Sequence, residues 1–168
     1  MRKEIGTFDA FEVTMDKMQG HGILLVAGVP PNPMTIGWGS LGYIWNRPVF
    51  QVLVRPTRYT FGLMEDSQAF TVNILPDEYK KQIGICGTRS GQDINKVEAC
   101  GFKMTKGEST TAFYIQESAI HYECRIIHKH RLEPGTLDLA IIEKYYPIRD
   151  FHMVYYGEIV GVFSNAQE

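Results

Sequence analysis

The last third of the chain most constrains what it can fold into. From residue 111 onward the sequence reads as strand after strand. Residues 119–131, 138–146 and 152–163 are three β-rich stretches. Turn residues separate them, Glu133-Pro-Gly135 and then Pro147 to Asp150. The first half adds residues 22–29 (GILLVAGV), a continuous apolar run of the kind found in strands buried on both faces. Pro30-Pro31-Asn32-Pro33 follows and is expected to stop regular structure. Residues 34–40, 49–54 and 69–75 also read as extended. Helical spacing is confined to the middle: residues 57–66, 76 to about 87, and 91–99, the last with Asp93 near its start. Many strands with a few short helices, and no regular βαβ alternation, predict a mainly β fold, a β-barrel with short helices.

The 168 residues are expected to form one domain, 1–168, with no repeat or long linker. Lys and Arg number 17 against 19 Asp and Glu, a net charge of −2, which argues against bulk capture of nucleic acid or an anionic membrane. No apolar run approaches the roughly 20 residues of a membrane-spanning helix. Cys86, Cys100 and Cys124 are odd in number and widely spaced. They read as reduced thiols in a cytoplasmic protein, buried as small hydrophobes, with a redox pair as the alternative.

Three segments carry candidate chemistry. Arg55-Pro-Thr-Arg-Tyr-Thr60 joins a strand end to a helix start. Free amides, a helix dipole, two arginines and two threonine hydroxyls suit a phosphate there. A capped helix with two solvated arginines would look the same. Thr88-Arg-Ser-Gly-Gln-Asp-Ile-Asn-Lys96 is a second anion candidate, with hydroxyls, a turn at Gly91 and a mobile charge on Lys96, or else a polar loop capped by Asp93. Thr35-Ile-Gly-Trp-Gly-Ser40 sets an aromatic between glycines, to border a flat ligand or to fill the core. His128 and His130 share a strand face, but no metal pattern surrounds them, and no Ser-His-Asp signature is present.

Five segments, in order, resemble the flavin reductase-like family. They are Asn32-Pro-Met-Thr-Ile-Gly-Trp38, Arg55-Pro-Thr-Arg-Tyr-Thr60, Phe70-Thr-Val-Asn73, Ser90-Gly-Gln-Asp-Ile-Asn-Lys96 and Asp150-Phe-His-Met-Val-Tyr-Tyr-Gly-Glu158. The resemblance implies an FMN-binding split barrel of Greek-key type, a homodimer and an oxidoreductase. It would carry electrons from NAD(P)H or a protein donor through FMN to a flavin, metal complex or protein acceptor. It places Trp38 near the flavin ring, with Thr35 and Ser40 in the same cofactor-binding segment. Thr60 and Lys96 serve the phosphate, helped by Arg55, Arg58, Tyr59, Ser90 and Gly91. His130 and Phe163 also approach the flavin. Asn95 departs from the acidic residue common before the lysine. The rival reading is a non-catalytic barrel that binds a phosphorylated ligand or acts as an interaction module.

Overall fold

The computed structural model describes residues 2–165. Its main sheet is antiparallel and eight-stranded. Seven strands run in the order β3 (Asn32–Ile36), β2 (Ile23–Ala27), β6 (Ala69–Ile74), β9 (Ile120–Arg131), β10 (Met153–Asn165), β5 (Arg47–Val54) and β4 (Gly39–Ile44). The eighth, β1 (Arg2–Glu4), pairs with the end of β10 at Phe163 to Asn165, beyond the stretch that β5 covers. The sheet is not closed, and β3 and β4 are its edges. This is the split barrel. A separate hairpin joins β7 (Met104–Lys106) to β8 (Phe113–Ile115).

The apolar run at 22–29 behaves as its composition requires. All five residues of β2 are buried. Ile23, Leu25 and Ala27 pack into the barrel core with Phe50, Phe70, Tyr122 and Tyr155. Leu24 and Val26 face the other way, into a second cluster with Ile83, Cys86, Cys100, Phe102 and Ile115. Burial of each large aliphatic side chain contributes about 1.5–3 kcal/mol. The second cluster therefore fastens α3 (Lys80–Thr88) and α4 (Lys96–Cys100) to the sheet. The helix α2 (Tyr59–Asp66) follows β5 directly.

Three expectations need correction. Residues 138–146 are not a strand: α5 (Leu139–Tyr145) is a helix, started by Asp138, whose carboxylate accepts from the Ala140 amide at 2.8 Å. Helix-forming Leu, Ala, Glu and Lys outweigh the β-like Ile-Ile and Tyr-Tyr pairs. The proline cluster does not end regular structure, since β3 starts at Asn32. Pro33 is tolerated because β3 is an edge strand. The cap of α4 is Asn95, not Asp93: the Asn95 Oδ1 accepts from the Glu98 amide at 3.2 Å. The sequence reading also missed α1 (Phe11–Gln19), an amphipathic helix that buries only Thr14 and Met18.

Candidate functional site

Two cavities meet at one end of the sheet and share Met34 and Arg58. The first, about 200 Å³, is lined by Met34 to Trp38, Leu53, Arg55, Arg58 and His152. Trp38 stands 41% exposed at its edge, 5.1 Å edge-on to Tyr145 and 5.3 Å from His152 between ring centroids. A ring held by two aromatic neighbours yet open to solvent can border a planar ligand.

His152 is buried and its Nδ1 lies 2.7 Å from the Tyr146 hydroxyl. Burial and the Arg55 guanidinium push its pKa down to about 4. The imidazole is therefore neutral at pH 7. With the Tyr146 phenol donating to Nδ1, the Nε2–H remains as a donor. Arg55 is held by Asp150 at 2.7 Å and the Tyr145 carbonyl at 2.8 Å, and it lies over the Tyr146 ring.

The second cavity, about 190 Å³, is lined by Thr57 to Thr60, Cys86 to Gly91, Asp93 and Lys96, besides Met34. It gathers both anion candidates of the sequence. No side chain caps α2, so its first amides remain available to a ligand. Thr60 is buried, and its Oγ1 accepts from the Asn32 amide nitrogen at 3.0 Å, which leaves the hydroxyl proton free to donate. Gly91 packs so closely on Asn32 and Tyr59 that a Cβ would sit 2.1 Å from the Asn32 Oδ1. Asn32 thus wedges the two candidate anion segments together.

Lys96 is buried, and its ammonium donates to the Cys86 carbonyl at 2.8 Å. Among the described residues no carboxylate pairs with it. Its pKa is lowered by burial, and the neighbouring Arg58 charge lowers it further. A buried cation pressed by a second one is a field that an anion relieves.

The chain matches the family model described as "Flavin reductase like domain" over residues 19–168. It belongs to the flavin reductase-like family. An uncharacterized protein of Archaeoglobus fulgidus is 29% identical over 115 residues, covering 68% of this chain and 64% of that relative. The chain therefore spans under two thirds of the length of the curated relative it matches. Among solved structures, a flavoredoxin from Methanosarcina acetivorans superposes with TM-score 0.68 at 28% identity, over 87% of this chain and 69% of that one. An FMN-binding protein from Thermus thermophilus with bound 1-cyclohex-2-enone gives 0.66 at 21%, over 84% and 68%.

Within this flavin reductase-like chain, Thr35, Trp38, Arg58, Tyr59, Thr60, Ser90, Gly91 and Lys96 come together along the joined cavities. Arg55 belongs to the Trp38 cavity rather than the anion pocket. Ser40 is exposed on β4, bonded to Gln51, and lines neither cavity. His130 is exposed on the outer sheet face. It pairs with Val154, which pairs with Leu53, so it stands two strands, roughly 10 Å, from the cavity wall. Phe163 lies ten residues beyond Met153 on β10, stacked on His121 at 5.0 Å, and joins neither cavity of its own chain. The sequence reading missed His152, Tyr146 and Asn32. Asn32 and His152 stand inside the segments that carried the resemblance, but only the fold shows what they touch. No helix among the described residues is long and apolar enough to cross a membrane.

Proposed function

We propose that this chain is an FMN-binding oxidoreductase that takes electrons from NAD(P)H or a protein donor and passes them to a flavin, metal complex or protein acceptor. The observation that carries the reading is Lys96, a buried ammonium with no carboxylate partner among the described residues, pressed by Arg58 at the wall of an open pocket. That donor set fits a phosphate dianion, and the adjoining Trp38 cavity fits a flat ring. FMN has one phosphate at one end and a tricyclic ring at the other. When bound, it would supply the electron or hydride transfer itself.

The chain's own residues bind and orient. Lys96, Arg58 and the hydroxyls of Thr57, Thr60 and Ser90 hold the phosphate by charge-assisted hydrogen bonds. Trp38 covers one side of the ring cavity. Neutral His152 offers its Nε2–H to a polar ring edge or to a substrate carbonyl, fixed in place by Tyr146. We also propose that the working form is a homodimer. The support is the apolar surface beside the Trp38 cavity, where Leu139, Ile141 and Tyr145 of α5 are exposed together with Ile148.

The test compares FMN with riboflavin by titration. The wild-type chain is expected to bind FMN and turn yellow, with bands near roughly 370 and 450 nm. Lys96→Ala is expected to weaken FMN by about 10–100-fold, the loss of a charged hydrogen bond, and to leave riboflavin nearly unchanged. Equal loss for both ligands would remove the phosphate assignment. A chain that binds neither would overturn the reading and favour an interaction module. Anaerobic mixing with NADH and NADPH then separates a reductase, bleached by either, from a carrier that needs a protein donor.

A further inference from the structure

We propose that Cys86 and Cys100 form a redox-active dithiol that closes to an intramolecular disulfide around the phosphate-binding loop. Their sulfurs are 3.8 Å apart, on α3 and α4 respectively. An S–S bond is about 2.05 Å long, so closure asks the two sulfurs to approach by roughly 2 Å. The chain between them contains Ser90, Gly91 and Lys96, so the bond would staple that loop at its base. Cys86 is also tied to the loop's functional end, because its carbonyl accepts the Lys96 ammonium. Moving residue 86 therefore moves the main protein contact of the proposed phosphate ligand.

The pair also has a route to solvent. Cys86 lines the anion pocket, and Cys100 keeps 8% of its surface exposed. Cys124 differs, since it is fully buried in the barrel core rather than in the helix cluster. A peroxide is the oxidant. Its oxygen adds to one cysteine sulfur to give a sulfenic acid, and the first water departs. The other thiol attacks that sulfur, the S–S bond forms, and the hydroxyl leaves as a second water. Two thiols and one hydrogen peroxide thus give one disulfide and two waters, with two electrons passing from sulfur to peroxide. A dithiol reductant reverses it. Burial pushes the Cys86 thiol up to about 12 and raises Cys100 as well, while the Lys96 charge pulls both back. Closure is therefore slow at neutral pH and quickens as pH rises.

The test treats the folded full-length chain with hydrogen peroxide, blocks residual thiols and maps the peptides. The expected result is a Cys86–Cys100 link, a mass loss of about 2 Da and reversal by dithiothreitol. Cys124→Ser should link as before, and Cys100→Ser should not. Linked protein is expected to bind FMN several-fold more weakly than reduced protein, and FMN is expected to slow the linking by covering Cys86. The FMN arms rest on the phosphate reading of the pocket, whereas the link is judged by mass alone. Three free thiols after treatment that oxidises an exposed control thiol, or a link through Cys124, would overturn the dithiol. A complete link with unchanged FMN affinity, in protein whose reduced form binds FMN, would overturn its control of the loop.

Discussion

The two ends of β10 hold the same kinds of residue in opposite arrangements. At the closed end, beside Phe163, the Arg2 guanidinium donates to the His121 Nδ1 and to the carbonyls of Ile115 and Gln116. It lies 3.9 Å over the Tyr114 ring. The His121 Nε2 donates to Glu123 at 3.1 Å, and Glu123 also accepts the amides of Glu108, Ser109 and Thr110. His121 and Glu123 have no exposed surface. At the open end stand another arginine, histidine and acid: Arg55, His152 and Asp150. There the ion pair is complete too, but Arg58, Lys96 and the His152 Nε2 keep donors facing a cavity. Arginine, histidine and aromatic content does not distinguish a site from a buttress. What distinguishes them is whether the donors already have acceptors within the chain.

The largest expected effect breaks the closed end. Glu123→Ala removes the acceptor of three backbone amides and of His121, and leaves the fully buried His121 ring without its Nε2 acceptor. A loss of about 3–5 kcal/mol is expected, read from urea unfolding, with FMN affinity of the folded fraction little changed. A loss below about 1 kcal/mol would show that water replaces the carboxylate and that this end is no lock.

Sequence reading could have reached the open end far better than the closed one, for a physical reason. Helix starts, hydroxyls beside glycine and a lysine in a loop are local signals, so Thr60, Ser90 and Lys96 are legible as candidate anion residues from their neighbours. The Arg2–His121 and Asn73–Ile115 contacts join residues far apart in the chain, and no local pattern encodes them. The same limit explains Phe163 and His130. Both sit on strands whose alternation is legible, but which end or face meets the cavity is set by register with β5 and β9. In α5 the local signals conflicted. Asp138 is a sound cap, yet the Ile-Ile and Tyr-Tyr pairs looked β-like.

Acid should strain both ends, with the sign set by their histidines. The His152 pKa falls from the unfolded 6.5 to about 4. Above 6.5 neither state is charged and the group contributes nothing. Between 6.5 and 4 the unfolded chain binds a proton that the folded one refuses, so stability falls as pH falls. The loss is about 1 kcal/mol at pH 5.5 and saturates near 3 kcal/mol below pH 4. His121 is lowered in the same direction, by burial foremost. Glu123 behaves as a depressed carboxylate. Its contribution is present above the unfolded 4.5 and is lost as pH falls through its lower folded value. Urea unfolding at stepped pH should therefore weaken in two stages, from about 6.5 and again below about 4.5. His152→Gln is expected to remove part of the first stage only. A variant as acid-sensitive as the wild type would move the whole first stage away from His152, to His121 or to His21, whose pKa burial also lowers.

The smallest expected change in stability sharpens the open end. Trp38 and Trp45 are both exposed, at 41% and 58%, and both lie against a histidine and a tyrosine. Only Trp38 lines a cavity that adjoins the anion pocket. Trp45 sits at the β4–β5 turn against His128 and Tyr156 on the outer sheet face. Either change to Ala should cost less than about 1 kcal/mol, because neither ring is part of a closed core. Their effects on a bound flavin should separate. Trp38→Ala is expected to shift the visible flavin spectrum and weaken FMN and riboflavin alike, since the ring and not the phosphate loses its neighbour. Trp45→Ala should leave both unchanged, and its remaining Trp38 fluorescence should be quenched when FMN is added. An unfolded Trp38→Ala would instead make that ring a core element. Loss of flavin binding in Trp45→Ala, with Trp38→Ala unaffected, would move the flavin ring along the outer face of the sheet, toward His130.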